Sequence, residues 1–196
     1  MPAGNPVAYA DRPVRWRGDV PGGRRGPLGR PPRRVFLSHT SERAARAFVA
    51  AARSAVIRAG DAMIDMDFFT AQGTDPADYC ASMVATADVY VGIIGRRYGS
   101  PVGGRQELSF TELEFETATA RGLPRLVFLL AGDSSGVGRQ AAFRRRLQRT
   151  GLTTALVASP AELETRLYQS LVELHLGDYQ TRRPRSRVRP RGRVRW

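Results

Sequence analysis

A chain of 196 residues fits one domain of ordinary size with residues to spare. All of its 31 basic residues are arginine, so a P-loop lysine, a Schiff-base lysine and a kinase-type lysine are absent, which excludes a standard nucleotide kinase and a pyridoxal-phosphate enzyme. The formal net charge of +13 sits at the ends: residues 1–34 carry eight Arg against two Asp, residues 177–196 eight Arg against one Asp, and the stretch between is neutral.

Residues 1–33 are rich in Pro, Gly and Arg and are expected to form a disordered extension, because they hold too little apolar surface to order themselves. Order begins at Arg34. The apolar run 35–37 predicts a first strand, followed by the loop SHTSER with Ser41 as an N-cap. From 42 to 59, Ala45, Phe48, Val49, Ala52, Val56 and Ile57 recur on one helical face, and Gly60 stops the helix. A second strand is expected at 62–66, then the loop DFFTAQGTD, then a helix over 76–87 with Pro76 in its first turn. VYVGIIG (89–95) is the strongest strand signal in the chain.

A polar, Gly-rich loop, RRYGSPVGGRQE, leads to a short amphipathic helix, a Gly-Leu-Pro stop and a fourth strand at 125–130. That helix carries Glu112, Glu114 and Glu116 at alternate positions. Helical geometry turns each residue by about 100°, which leaves Glu112 and Glu116 as an i, i+4 pair on the polar side. Glu114 instead falls on the arc of Phe110, Leu113, Phe115, Ala118 and Ala120. A carboxylate facing a packed region is costly unless paired or used, so Glu114 is the candidate catalytic residue; the plainer alternative is a helix-edge position reaching water. Beyond it come the loop GDSSGVG, a helix at 141–150, a fifth strand at 153–157 and a last helix at 160–176. A basic tail, 177–196, is expected to be disordered.

Five strand-helix units with continuous apolar strands predict an α/β domain over 34–176: a flavodoxin-like three-layer sandwich around a five-stranded parallel sheet in the order 2-1-3-4-5. Ligands in such sheets sit beyond the carboxyl ends of the strands, where strand order reverses, here between the first and third strands. The loops at that point offer Ser38, His39 and Thr40, then Phe68, then Arg97 and Tyr98 as cofactor-binding candidates. Hydroxyls and a helix N-terminus favour an anion such as phosphate, an arginine fork suits phosphate or carboxylate, and a loop aromatic such as Phe68 or Phe69 can stack on a nucleobase. Each has an ordinary counterpart: an N-cap turn, a structural arginine, an aromatic packed under its loop.

GDSSG formally matches the G-x-S-x-G nucleophile elbow, with Ser134 as its serine, but the elbow needs a tight strand-turn-helix and the glycines here extend the loop. Cys80, the single cysteine, reads as a helix-face core residue. One cysteine and two histidines, His39 and His175, allow no internal disulfide and no cysteine-built zinc centre, and no metal is expected. No apolar run approaches the ~20 residues of a membrane helix, so a cytoplasmic protein without a membrane span is expected. The Arg-rich tails can bind nucleic acid or an acidic surface by charge alone.

RRVFLSHTSER is similar to the first box of the TIR superfamily. PADYC, ADVYVGIIGRRYGSP and LSFTELEFETATARGLPRLVFLL together resemble a TIR-like bacterial family, domain of unknown function 4062, related also to nucleoside deoxyribosyltransferases. The resemblance implies the same flavodoxin-like sheet and an intracellular signalling or defence module that self-associates or contacts a partner protein. Some related TIR domains cleave NAD at the nicotinamide-ribose bond, and the deoxyribosyltransferases break another glycosidic bond. In both, the glutamate stands four residues before a small residue and about eight before the Gly of the Gly-x-Pro stop, a pattern met by Glu114, Ala118 and Gly122. The resemblance thus implies, as the enzymatic alternative, an NAD(P) glycohydrolase or nucleoside N-glycosidase using Glu114, with NAD as substrate and no cofactor required. It departs from the usual TIR helix in having Thr111 and Leu113 where a Trp or Cys commonly precedes the glutamate.

Overall fold

The computed structural model describes residues 31–65, 75–132, 138–149 and 154–182. The strands of the main sheet are the apolar runs of the sequence: β1 (Arg34–His39), β2 (Ala62–Asp65), β3 (Val89–Ile94), β6 (Arg125–Leu130) and β7 (Thr154–Val157). All pairs are parallel and the order is β2-β1-β3-β6-β7. With the hairpin strands described below set aside, this is the expected 2-1-3-4-5. All six residues of β3 are buried, as a central strand covered on both faces requires.

The pleat divides the core in two. Val35, Leu37, Val89, Val91 and Ile93 point to one face, where α1 (Ala45–Arg58) and α5 (Pro160–Arg182) cover them with Val49, Val56, Leu163, Leu167 and Leu171. Phe36, Tyr90, Ile94, Val127 and Leu129 point to the other, under α2 (Pro76–Thr86), α3 (Phe110–Ala120) and α4 (Arg139–Arg149). A ladder of rings runs through this second face: Phe36 stacks on Tyr90 at 6.4 Å, Tyr90 meets Phe115 edge-on at 6.1 Å, and Phe115 meets Phe143 edge-on at 6.0 Å.

Three local expectations change. Helix α1 starts at Ala45, with Ala44 at its N-cap and no side-chain cap, rather than after Ser41. The carboxylate of Glu42 is drawn across to the backbone N–H of Arg96 at 2.7 Å, so residues 42–44 form a turn ahead of the helix. The Gly-rich loop contains a hairpin, β4 (Pro101–Val102) and β5 (Arg105–Ser109), closed by Gly104 at φ 73°. The last helix continues six residues past Leu176, through Arg182.

Arg33 also belongs to the folded part. Its guanidinium forks onto Asp61 at 2.8 and 3.3 Å and donates to the Leu171 carbonyl at 2.8 Å, and His175 Nε2 lies 3.0 Å from the same carboxylate. A buried carboxylate is tolerable only with such partners, and this one pins the entry of the chain to α5. The termini 1–30 and 183–196 lie outside the described residues.

Candidate functional site

Helix α3 is set by its N-cap: Ser109 Oγ accepts the Glu112 N–H at 3.3 Å. One face then buries Thr111, Glu114, Phe115 and Ala118, the i, i+3, i+4, i+7 stripe of an amphipathic helix. Glu114 is 4% exposed. Its side chain meets donors from two other elements. Ser38 Oγ, at the end of β1, hydrogen-bonds Oε2, and Cys80 Sγ, on α2, donates to Oε1 at 3.2 Å. Burial and the neighbouring Glu114 charge push the Cys80 thiol well above its ordinary range, so it stays protonated and serves as a donor.

The remaining sliver of Glu114 opens on a cleft of about 160 Å³ lined by Leu37, His39, Ser41, Ser100, Phe110 and Thr111. A larger groove of about 430 Å³ adjoins it and shares His39 and Ser41; its walls include Thr40, Glu42, Arg46, Val49 and Arg53. Both cavities lie at the carboxyl end of β1, the location that the sheet order dictates. Thr111 Oγ1 donates to the His39 carbonyl at 3.4 Å, tying the first turn of α3 to the end of β1. Among the described residues, no group of three metal-ligating side chains is gathered.

The residues proposed from sequence fare differently. Ser38 and Glu114 touch, and His39 lines both cavities. Thr40 is buried and works inside the fold: its Oγ1 accepts the Gly95 N–H at 3.0 Å and donates to Glu42 at 3.2 Å. Arg97 is exposed on the loop after β3. Tyr98 points to the other side of α3, where its hydroxyl lies 2.7 Å from the Glu107 carbonyl, contacts Glu112 and accepts the Ser109 N–H at 3.1 Å. It holds the hairpin to the helix rather than lining the Glu114 cleft. Phe68, Phe69 and Ser134 lie outside the described residues.

Glu112 and Glu116, expected as a solvated pair, are bridged by Arg146 at 2.7 and 3.2 Å, and the Glu112 side chain is only 13% exposed. Sequence reasoning passed over Tyr90, whose fully buried hydroxyl lies beside Gly92, the residue paired with Ser38 across the sheet. It also passed over Arg46 and Arg53, whose seven-residue spacing sets them on one side of α1.

The carboxyl end of the sheet is closed from the other side by α4. Arg144, buried, donates to the carbonyls of Ile94 (2.8 Å), Gly95 (3.0 Å) and Leu130 (3.0 Å), and Gln140 donates to Gly95 at 2.6 Å. Burial pulls the Arg144 pKa down, the Glu42 charge opposes that, and the Arg96 charge adds to it.

The family described as Domain of unknown function (DUF4062) matches residues 34–172, from the first strand into the last helix. The chain belongs to this family. A DUF4062 match over that span covers Ser38, Cys80, Tyr90 and Glu114 together with every strand of the sheet. Among solved structures, the chain is similar to the TIR domains in the activated Roq1 resistosome directly recognizing the pathogen effector XopQ, at 16% identity and TM-score 0.42, covering 75% of this chain and 99% of that one. It is similar also to the RPS4 and RRS1 TIR domain heterodimer, at 16% identity and TM-score 0.48, covering 73% of this chain and 99% of that one. No curated protein matches the chain. Among the described residues, no helix of this DUF4062 domain is long and apolar enough to cross a membrane.

Proposed function

We propose that this domain is a signalling or defence module whose working part is the Glu114 cleft, a ribosyl-binding site that cleaves the N-glycosidic bond of a nucleotide. The observation that carries the reading is Glu114 itself: a nearly buried carboxylate, both oxygens engaged by fixed donors, with its remaining surface turned to a cleft of about 160 Å³. A carboxylate so held can accept the ribose hydroxyls and stabilise an oxocarbenium-like transition state without reorganising. The C1′–N bond breaks, the base leaves with its electron pair, water oxygen bonds to C1′, and the water proton passes to solvent or to the base. Ser38 and Cys80 orient the carboxylate; neither is needed as a nucleophile.

The adjoining groove favours a phosphorylated substrate over a bare nucleoside. Arg46 and Arg53 project into it beside His39 and Ser41, and guanidinium groups suit phosphate oxygens. The Glu42 carboxylate on the same wall is occupied by Arg96 N–H and Thr40. NAD, with its pyrophosphate between two riboses, fits this description, as does a nucleoside 5′-phosphate.

Purified protein at high concentration is incubated with NAD, a nucleoside 5′-phosphate and the matching nucleoside, and the free base is followed by chromatography. Base release from the phosphorylated compounds is expected, falling at least ~100-fold in Glu114→Gln and with KM raised in Arg46→Ala. No release from any of the three, or equal release by Glu114→Gln, would sink the reading.

A second reading, signalling through self-association, is favoured by β7: it is one of the two edge strands of the main sheet, and its Leu156 is 59% exposed. Light scattering across concentration, with Leu156→Arg as the comparison, tests it; a strict monomer at all concentrations counts against it.

A further inference from the structure

The two edges of the main sheet differ. β2 (AMID) carries an acid within the strand, a common guard of an exposed edge. β7 (TALV) carries no charge and no proline, and among the described residues no strand pairs with its outer side. Its Leu156 stands exposed.

The register shows which backbone groups of β7 are open. Leu130 pairs with Val157, and the Val157 carbonyl accepts the Ala131 N–H at 2.8 Å. In a parallel ladder a residue turns its N–H and C=O to the same neighbour, and the next residue turns both the other way. Ala155 and Val157 therefore serve β6, while the N–H and C=O of Thr154 and Leu156 face outward. The next outward donor, the Ala158 N–H, is already taken by Glu162 Oε2 at 2.8 Å. The open stretch of edge thus runs from Thr154 to Leu156, with Ala155 at its middle.

We propose that β7 pairs with β7 of a second copy of this chain, antiparallel about a two-fold axis at Ala155. Thr154 of each strand then faces Leu156 of the other, and the outward N–H of each meets the C=O of its opposite, as in the hydrogen-bonded pairs of an antiparallel ladder. Ala155 faces its own copy in the non-hydrogen-bonded position between them. The open stretch is symmetric about Ala155, so one copy offers the donors and acceptors that the other lacks, and the contact closes on itself. The pleat adds an apolar contact. Ala155 and Val157 point to the face covered by α1 and α5, so Leu156 points to the opposite face, where the two Leu156 side chains lie diagonally across the join. A ladder this short falls below the roughly 1,000 Å² of a lasting interface, so the dimer gathers only as concentration rises.

The inference rests on the self-association reading, and its test separates the two. Sedimentation equilibrium is run across protein concentration, and wild type is expected to climb from one chain mass toward two. Thr154→Pro removes an outward N–H and no bond to β6, at the first residue of the strand, where proline is tolerated. It is expected to stay at one chain mass, with a thermal melt to show it folded. Ala155→Cys reports the register without blocking it. Facing residues of a non-hydrogen-bonded pair are about 4.5 Å apart between Cα atoms, within disulfide reach, so mild oxidation is expected to give a covalent dimer. Wild type, whose single cysteine is buried, and Ile57→Cys, at an exposed position of α1, are expected to give none. A mass that never rises removes the self-association reading and the β7 pairing together. A dimer that persists in folded Thr154→Pro, or that fails to cross-link through Ala155→Cys, overturns the β7 pairing and leaves self-association through another face. Should Thr154→Pro not fold, the cross-link alone decides.

Discussion

Gly95 and Glu42 exclude each other: a Cβ on Gly95 would fall 1.2 Å from Glu42 Oε1 and 2.6 Å from Thr40 Oγ1. The glycine at the end of β3 is thus the room in which the Glu42 carboxylate reaches the Arg96 N–H, and the loops after β1 and β3 are locked together through it. These two loops carry the walls of both cavities, so the lock sets the shape of the site.

Gly95→Ala is expected to expel the Glu42 side chain, which is flexible, rather than shift the strand. The Arg96 N–H and the Thr40 hydroxyl then lose their acceptor, at a cost of about 2 kcal/mol. Urea melts measure it. Gly103→Ala, where nothing lies within 4 Å of the added methyl, is expected to fall within ~0.5 kcal/mol of wild type. Equal effects of the two substitutions would contradict the lock.

Arg144 is a buried cation that serves three backbone carbonyls from the ends of β3 and β6. Arg144→Met removes every one of these donors and is expected to cost about 3 kcal/mol, because buried carbonyls are left unpaired. Lysine has no planar fork and cannot span two strands, so Arg144→Lys should recover less than half of the loss. A urea midpoint for Arg144→Lys matching wild type would show that charge alone suffices there.

Much of this was legible in the sequence, for definite reasons. The five strands announce themselves because a sheet covered on both faces needs continuous apolar runs, and VYVGII is such a run. Glu114 was separable from Glu112 and Glu116 because a helix turns about 100° per residue, and it alone of the three is buried with Ser38 and Cys80. What depends on long-range partners was not legible. Ser41 has the chemistry of an N-cap, but Glu42 is captured by Arg96, a residue 54 positions away, and the helix starts later. Tyr98 looked like a ligand-facing aromatic beside arginines; its partners are the hairpin backbone and Glu112, whose placement depends on a hairpin that Gly-rich sequence disguises as loop. Gly92 was a readable signal: glycine inside a strand marks close approach, and the approaching group is the Tyr90 ring.

Tyr98 and Arg146 both contact Glu112, and their substitutions should differ. Tyr98→Phe removes the contacts to Glu112, the Glu107 carbonyl and the Ser109 N–H together, and is expected to cost about 1–2 kcal/mol. Amide exchange should quicken in the hairpin first, since the phenol is what ties it to α3. Arg146→Ala breaks two ion pairs, to Glu112 and Glu116, from an arginine that is 44% exposed, and such pairs contribute about 0.5 kcal/mol each. If Arg146→Ala proves the more damaging of the two, Tyr98 is not what anchors the hairpin.

The buried acids on the second face fix how stability responds to alkali. Burial, with the Glu114 charge, raises the pKa of the Cys80 thiol above its ordinary value of 9.0, and that of the Tyr90 phenol above 10.0. In the unfolded chain both groups ionise at their ordinary values, while in the folded protein they keep their protons. Above pH 9 the unfolded state therefore binds fewer protons than the folded one, and stability falls with rising pH, by about 1.4 kcal/mol per pH unit for each group once its ordinary pKa is passed. Below pH 8 neither group contributes a slope. Urea melts from pH 7 to 11 should show a decline that begins near 9 and steepens beyond 10. Cys80→Ala removes the first component and Tyr90→Phe the second, each flattening its own part of the curve even where it lowers stability at neutral pH. A Cys80→Ala profile parallel to wild type between pH 9 and 10 would mean that the folded thiol ionises as freely as the unfolded one, and Cys80 would then no longer serve as a neutral donor to Glu114.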